Sequence, residues 1–366
     1  MTDGLDGNRA TTQNDLEALK REVAQLKQTI ADYSHSLKAA RRRIYEASFL
    51  KSLESYKQYI QETSADARFS SLPSRGMTSK IAAYHHISTH GLKIPTIYEM
   101  WRAPSELSLS SLPEKFVLKS DGGSTSHGVL PLRRIGGDKY QLVDASGIMR
   151  EDEIVHYFKD AGKSGTAYGP LFAEELLVDS TGTGPIPNDV KFYMAYGQVM
   201  QVMLRAVDHH GDIDRTRTKY VDEVGNDLGA VATHRILDPS IPVPSEITSM
   251  TDIAKHLSRA SGLPFCRVDL YETTAGIVVG EITRAPGGAQ TYIYDHDLAM
   301  GRQWLQAEAR LLIDYQRGRP VGTLNGDHPA PEILTSSVAR SVALANRPIA
   351  PCRDWCSITP PGRTFA

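Results

Sequence analysis

Cysteine is scarce in this chain: Cys266, Cys352 and Cys356 are the only three among 366 residues. That is too few for a disulfide framework. Cys352-x3-Cys356 also lacks partnering histidines at ligand spacing, so all three are expected to be free thiols. Long apolar runs are missing as well. No stretch of about 18 apolar residues exists, and Met1–Ala31 is polar and charged, so neither a membrane span nor a signal peptide is expected. Nor is there an excess of charge of one sign. Lysine and arginine number 41 against 43 acidic residues, for a net charge of −2 and a pI near 6.6. This excludes a polybasic binder of nucleic acid or membrane surfaces. These absences lead to the expectation of a cytoplasmic protein without nucleic-acid or membrane partners. Its 40.3 kDa is enough for one large domain or two.

What is present begins with a heptad seam. Leu16, Leu19, Val23, Leu26, Ile30, Tyr33, Leu37, Ala40 and Ile44 recur at alternating spacings of three and four, the pattern of a coiled coil. Leu16, Val23, Ile30, Leu37 and Ile44 take the first core position. Leu19, Leu26, Tyr33 and Ala40 take the second. Asp15 would face Lys20 of a partner helix, and Glu22 would face Lys27. The expectation is a polar, disordered tail over 1–13, then a helix over 14–62 forming a parallel homodimer; the alternative is a helix docked on its own domain.

From Arg75 the pattern becomes globular. Ser79–Tyr84 opens a helix that ends near Gly91, and Leu92–Tyr98 reads as a short strand. Phe116–Lys119 reads as a strand running into Ser120-Asp121-Gly122-Gly123-Ser124-Thr125-Ser126-His127-Gly128. A loop this rich in glycine and serine can turn several backbone N–H groups toward a phosphate. It is not a Walker A loop, since Gly162-Lys163-Ser164 lacks the upstream glycine, and no G-x-G-x-x-G joins a strand to a helix, so a Rossmann reading has no support. Further on, the spacing predicts a helix over 151–161, strands over 171–177, 189–196 and 199–207, and helices over 250–261 and 298–316. A charged segment, His209–Val224, is expected to be a mobile substrate loop. His85, His86, His90, His127, His209 and His210 show no ordered ligand spacing and are assigned no metal.

The most informative stretch is FCRVDLYETTAGIVVGEITRAPGGAQT, Phe265–Thr291. Two runs of β-branched and apolar residues flank Thr273-Thr274-Ala275-Gly276, which predicts a hairpin. Folding about that turn sets Asp269 opposite Glu281 or Gly280. Alternation places Arg267 and Asp269 on one face of the first strand, and Glu281 and Thr283 on one face of the second. Val268, Leu270, Val278 and Ile282 line the other face. Opposed carboxylates roughly 5 Å apart repel each other unless a cation joins them. Magnesium suits such a pair, taking one or two carboxylates and filling its other positions with water and phosphate oxygens.

With these elements in hand, the chain resembles the ATP-grasp superfamily over roughly Lys80–Arg310. FVLKSDGGSTSHGV is similar to the strand and phosphate-covering loop of D-alanine–D-alanine ligases. RVDLYETTAGIVVGEITRAPGGAQT is similar to their Arg-x-Asp hairpin, Glu-x-Asn metal motif and Pro-Gly substrate loop. Within the superfamily the likeness is to the TupA-like group, associated with teichuronopeptide synthesis. That group shares RVDLY, GE(L/I)T and PGG in this order, and the Asp-x-Lys-Phe-Tyr strand found here at Asp189–Tyr193.

The resemblance implies an α/β (α+β) ATP-grasp fold preceded by the coiled-coil helix. A small subdomain would span 66–115, a lid subdomain 116–185, a catalytic subdomain 186–318 and an irregular tail 319–366. It implies ATP and Mg²⁺ as cofactors. Lys80 and Lys119 would neutralise phosphate charge, and the loop with Gly122, Gly123, Ser124, Ser126 and Gly128 would fold over it. Glu174, Glu175 and Leu177 belong to the strand that would hold adenine, by one glutamate or the other. Asp189 would contact ribose, with Lys191 pointing toward the phosphates. Asp269 and Glu281 would hold the metal. Thr283 stands where the ligases carry asparagine, which leaves one ion or two. Arg267, Lys119 and Arg284 would be catalytic, and Arg284 with Pro286–Gly288 would line the acceptor site. The implied reaction joins a small-molecule carboxylate to an amine through an acyl phosphate. The alternatives are a phosphotransferase acting on a hydroxyl and a nucleotide-binding scaffold without catalysis.

Overall fold

The computed structural model describes residues 3–64, 66–69, 72–77, 79–123, 127–180, 186–207, 211, 215–340 and 352–356, excepting the side chains of 3–16, 39–44, 67, 76 and 353. The chain divides into two units, Met1–Ala47 and Ser48–Ala366. The first is a single helix, α1 (Asp3–Tyr45). It starts inside the segment expected to be a disordered tail. No proline interrupts that segment, and extending a formed helix is easier than starting one. Leu19, Val23, Leu26, Ile30, Tyr33 and Leu37 are all exposed, so the heptad stripe of the single chain is uncovered. The side chains of Leu16, Ala40 and Ile44 lie outside the described ones.

The continuous helix expected to residue 62 is two helices. The second, α2 (Phe49–Ser64), belongs to the globular unit. Ser48 begins it by accepting a hydrogen bond from the Lys51 amide at 3.2 Å, which satisfies an orphan N–H of the first turn. Its apolar face, Phe49, Leu53, Tyr56 and Ile60, is buried. The Phe49 ring meets those of Tyr193, Phe265, Tyr292 and Trp304 at 5.4 to 6.2 Å. Gly301 permits the close approach, since a Cβ there would lie 2.4 Å from the Ser48 nitrogen.

After α3 (Pro73–Gly76) and α4 (Lys80–Thr89), the chain lays down β1 (Ile97–Trp101), β2 (Lys115–Gly123), β3 (Val129–Gly136), β4 (Lys139–Leu142) and β5 (Ile148–Arg150). Helix α5 (Glu151–Lys163) and β6 (Ala167–Glu175) follow. These strands form one antiparallel sheet in the order β1-β6-β2-β3-β4-β5. The segment expected as a separate small subdomain therefore gives its strand β1 to this sheet. That strand starts at Ile97 rather than Leu92, because Pro95 has no N–H for the ladder.

A second sheet takes β7 (Asp189–Ala195), β8 (Gln198–Ala206), β9 (Arg217–Val221) and β10 (Ile236–Leu237), then, after α6 (Ile247–Ser261), β11 (Cys266–Thr273) and β12 (Gly276–Thr283). Its order is β10-β9-β8-β7-β11-β12. Helix α6 covers β7, β8 and β11, and α7 (Tyr294–Gln316) lies against β7, β8 and α2. The decisive element is α4. It packs on β2 of the first sheet and β12 of the second, so its N-terminal turn lies between the two strands that carry the candidate site.

Two expectations are corrected. In the charged segment 209–224, residues 217–221 form β9, and Arg217 pairs with Asp238 at 2.5 Å, so these charges bind a sheet edge. Residues 208–210 and 212–214 lie outside the described residues. Cys352 and Cys356 are joined in a disulfide, and of the three cysteines only the buried Cys266 is a thiol. The tail also contributes packing: Arg319, Leu324 and Leu334 are buried, and α8 (Ser337–Arg340) meets β1. Among the described residues, no helix is long and apolar enough to cross a membrane.

Candidate active site

The β11–β12 ladder pairs Arg267 with Thr283 and Asp269 with Glu281. On its other side, β11 pairs Asp269 with Lys191 and Arg267 with Tyr193. One polar row thus crosses three strands, from Lys191 through Asp269 to Glu281. Val268, Leu270 and Ile282 fill the opposite, buried face. A bulge at Gly280 shifts the register, so that Val279 rather than Gly280 stands opposite Leu270. Gly280 is required there, because a Cβ would lie 2.4 Å from the Tyr271 ring.

Asp269 is locked in place. Its Oδ1 accepts from Arg267 Nε at 2.6 Å, its Oδ2 accepts from Arg267 Nη2 at 2.7 Å, and Lys191 forms an ion pair with Oδ2. Burial would raise the Asp269 carboxyl, but Arg267 and then Lys191 outweigh it and hold the pKa below the usual range. The same guanidinium donates to Thr283 Oγ1 at 3.1 Å and stands 3.8 Å from Glu281. Beyond Lys191, Asp189 accepts from Arg205 Nε at 2.6 Å and lies 3.5 Å from Lys191 Nζ. Asp189, expected at a ribose, is therefore engaged inside the sheet.

A second cluster comes from the first sheet and α4. Lys119 on β2, itself partly exposed, forms an ion pair with the buried Glu174 on β6, and Tyr84 on α4 donates to the other Glu174 oxygen at 2.8 Å. The Glu174 side chain is thus committed before any ligand arrives. Glu175 instead turns to the sheet edge, accepting from the Thr96 amide at 3.3 Å, and Leu177 is buried. Ser79 caps α4 by accepting from the Ala82 amide, and it donates to Asp121 Oδ1 at 2.8 Å. The same oxygen accepts from the Ile81 amide at 2.8 Å. This fixes Lys80 over the glycine-rich loop, where Nζ donates to the carbonyls of Asp121 at 3.3 Å and Gly123 at 3.5 Å. Burial lowers the Lys80 pKa. Glu281 opposes that shift and Lys119 adds to it, which ties the two clusters together.

The loop itself is held from both ends. A Cβ on Gly122 would lie 2.2 Å from the Tyr168 ring, and Gly123 and Gly128 have φ of +132° and +74°. The Gly128 amide donates to Tyr157 Oη at 3.1 Å. Ser124 and Ser126 lie outside the described residues. Arg284 reaches away from the polar row and donates to the Ser74 carbonyl at 2.6 Å. Gln290 anchors the Pro286–Gly288 segment, donating to the Gly287 carbonyl at 2.9 Å while accepting from Tyr193 at 3.1 Å.

Sequence reasoning passed over Tyr84, Asp121, Arg205 and Tyr271. Asp121 alone had a local signal, standing beside the glycine pair; Tyr84 reaches in from α4, and Arg205 and Tyr271 act from strands. The donor set suits a hard divalent cation. Glu281, whose side chain is 42% exposed against 4% for Asp269, has oxygens to offer. A carboxylate has about four lone-pair positions. Three on Asp269 are taken, which leaves one on Oδ1.

Among solved structures, the chain is similar to a D-alanine–D-alanine ligase from Bacillus anthracis complexed with ATP, at 13% identity over 68% of this chain and 70% of that one, with a TM-score of 0.40. It is also similar to a RimK domain ATP-grasp protein from Sphaerobacter thermophilus, at 11% identity over 66% and 69%, TM-score 0.36. A third is the ATP-grasp ligase PsnB complexed with a phosphomimetic precursor variant, Mg and ADP, at 15% identity over 65% and 60%, TM-score 0.36. No curated protein matches the chain in sequence. The profile of the family described as TupA-like ATPgrasp matches residues 60–305, which take in α4, both sheets and every described residue of the two clusters, and the chain belongs to that family.

Proposed function

We propose that this chain is an ATP-dependent carboxylate–amine ligase, forming an amide through an acyl phosphate in the synthesis of a cell-surface glycopeptide, peptide or natural product. The observation that carries the reading is the placement of Lys80 among Lys119 and Glu174 of the first sheet and Glu281 of the second. An ammonium whose pKa burial has lowered gains the most from an arriving anion, which is the electrostatic condition of a phosphate site.

In this reading a substrate carboxylate oxygen attacks the γ-phosphorus of ATP and ADP leaves. An amine then attacks the acyl carbon and phosphate departs. Such transfers depend on positioning and charge more than on covalent help from the protein, and no protein nucleophile is invoked. Lys80 and Lys119 meet the phosphate charge. Lys119 has three N–H donors, so its pairing with Glu174 leaves others for a ligand. Arg267, aimed by its two bonds to Asp269, steadies charge on the acyl group. Bound magnesium would neutralise phosphate oxygens; Glu281 and the open position on Asp269 would hold it, with Thr283 beside them. Gly122 to Gly128 cover the phosphates, the end of β6 as far as Leu177 takes the base, and Arg284 with Gly287 and Gly288 lines the acceptor site.

The test is ADP release with Mg·ATP across a panel of amino acids and amino sugars, with products identified by mass spectrometry. Amine-dependent ADP release and an amide product are expected. A phosphorylated hydroxyl product would replace this reading with the phosphotransferase one. The uncovered heptad stripe of α1 supports a second proposal, a parallel homodimer through α1. Both proposals suit a cytoplasmic protein, where ATP and Mg²⁺ are plentiful.

A further inference from the structure

At the end of α4 opposite Lys80, another cluster of donor atoms gathers. His90 caps that helix and is buried, and His256 comes from the middle of α6. His90 Nδ1 lies 2.9 Å from His256 Nε2, which in turn lies 3.8 Å from Cys352 Sγ. Ligand atoms of all three fall within 4.8 Å of one another. Cys356, bonded to Cys352, brings a fourth donor to the same place. Around a tetrahedral zinc, with bonds of about 2.0–2.1 Å to nitrogen and about 2.3 Å to sulfur, neighbouring ligand atoms stand roughly 3.3–3.8 Å apart. The distances in hand bracket that range, so small side-chain rotations would complete the shell.

The surroundings match as well. His90 Nε2 faces the Leu324 carbonyl at 3.1 Å, which makes Nε2 the protonated nitrogen and turns the bare Nδ1 inward. A carbonyl on the far nitrogen is how proteins orient a ligating imidazole. Ala260, Leu324 and Trp355 shut the cluster in apolar packing, and His86 sets its ring 4.7 Å from that of His90. Cys352-x3-Cys356 falls within the spacing of zinc-binding cysteine pairs. The two histidines come from distant elements, so no sequence motif reveals the set.

We propose that His90, His256, Cys352 and Cys356 form a structural zinc site when the cysteines are reduced, clipping the 352–356 segment to α4 and α6. The disulfide seen here is its oxidised, metal-free counterpart. A dithiol reduces the S–S bond to two thiols and itself becomes a disulfide; zinc then displaces the two thiol protons. In reverse, a peroxide takes two electrons from the two sulfurs, the S–S bond forms, the peroxide leaves as water and zinc departs. Because α4 carries Lys80 on its first turn and His90 just past its last, about 15 Å away, this clip holds the end of the helix remote from the phosphate lysine.

The test uses the full chain reduced with a phosphine and given zinc, freed of excess metal and assayed by elemental analysis. About one zinc per chain is expected. Cobalt in its place should show tetrahedral d–d bands with a thiolate charge-transfer band, and peroxide should release the metal as the disulfide re-forms. The Cys352→Ser/Cys356→Ser double variant should bind none. Should that variant fail to fold, alkylation of the wild type decides: zinc should shield Cys352 and Cys356 from iodoacetamide. Absence of zinc from the reduced protein, a cobalt spectrum without the thiolate band, or equal alkylation with and without zinc would each overturn the site.

Discussion

Asp269 stands directly across the β11–β12 ladder from Glu281, yet the two carboxylates are unequal. Asp269 is buried and bonded to Arg267 and Lys191, whereas Glu281 is partly exposed and stands 3.8 Å from Arg267. In the proposed reaction one residue builds the site and the other faces the reactants. Glu281→Gln should therefore keep its melting temperature and lose turnover by orders of magnitude, since the metal-facing charge is gone. Asp269→Asn should lose both. It leaves Arg267 without its buried counter-ion and Lys191 reliant on Asp189 at 3.5 Å, at a cost of about 3–5 kcal/mol. Thermal melts beside ADP-release assays separate the two outcomes, and equal destabilisation would show the asymmetry to be unimportant.

The Lys119–Glu174 pair invites a cycle. Lys119→Met strands the buried Glu174 and should destabilise the fold by about 3–5 kcal/mol, and Glu174→Gln, which strands the partly exposed Lys119, should cost less. The double variant should recover much of that stability, because neither charge remains. Its ATP affinity should stay low if Lys119 binds phosphate. Recovery of affinity along with stability would remove Lys119 from the phosphate site.

Much of this arrangement was legible in the sequence. The hairpin and its turn followed from period-two alternation about Thr273–Gly276, which left Asp269 opposite Glu281 or Gly280; the structure pairs it with Glu281. Periodicity could not supply the Gly280 bulge, which arises because the Tyr271 ring occupies the space above Gly280. Nor could it find Asp121, whose partners Ser79 and Ile81 lie some forty residues earlier. The α1–α2 break escaped because Phe49, Leu53, Tyr56 and Ile60 continue a helical spacing while packing into a different environment. The disulfide was excluded by counting cysteines, and a count is blind to a close pair inside one turn.

Acid stability tests the electrostatics of the second sheet. Arg205 and Lys191 outweigh burial and hold Asp189 below the usual carboxylate range, and Asp269 is lowered likewise. A carboxyl with a depressed folded-state pKa stabilises the fold above its unfolded pKa of about 3.9, and that stabilisation is lost as pH falls toward the folded value. Denaturant unfolding should thus weaken steeply below about pH 4. Asp189→Asn, less stable at neutral pH, should show a shallower dependence, by up to about 1.4 kcal/mol per pH unit for one proton. An unchanged slope in the variant would mean that Asp189 is not held ionised by its neighbours.

The α1 stripe gives the last prediction. Leu26 and Ile30 are 55% and 67% exposed in the single chain, more than solitary surface apolar residues need, and they belong to a seam of six such positions among the described side chains. A partner helix would cover them by knobs-into-holes packing, with leucine at the second core position and β-branched residues at the first favouring two parallel strands. Leu26→Asp/Ile30→Asp should convert the dimer to monomer in light scattering. The amine-dependent turnover of the globular unit should persist, since no residue of the candidate site lies in α1. A particle of unchanged mass would refute the dimer, and loss of turnover on dissociation would mean that pairing through α1 is needed to keep the site active.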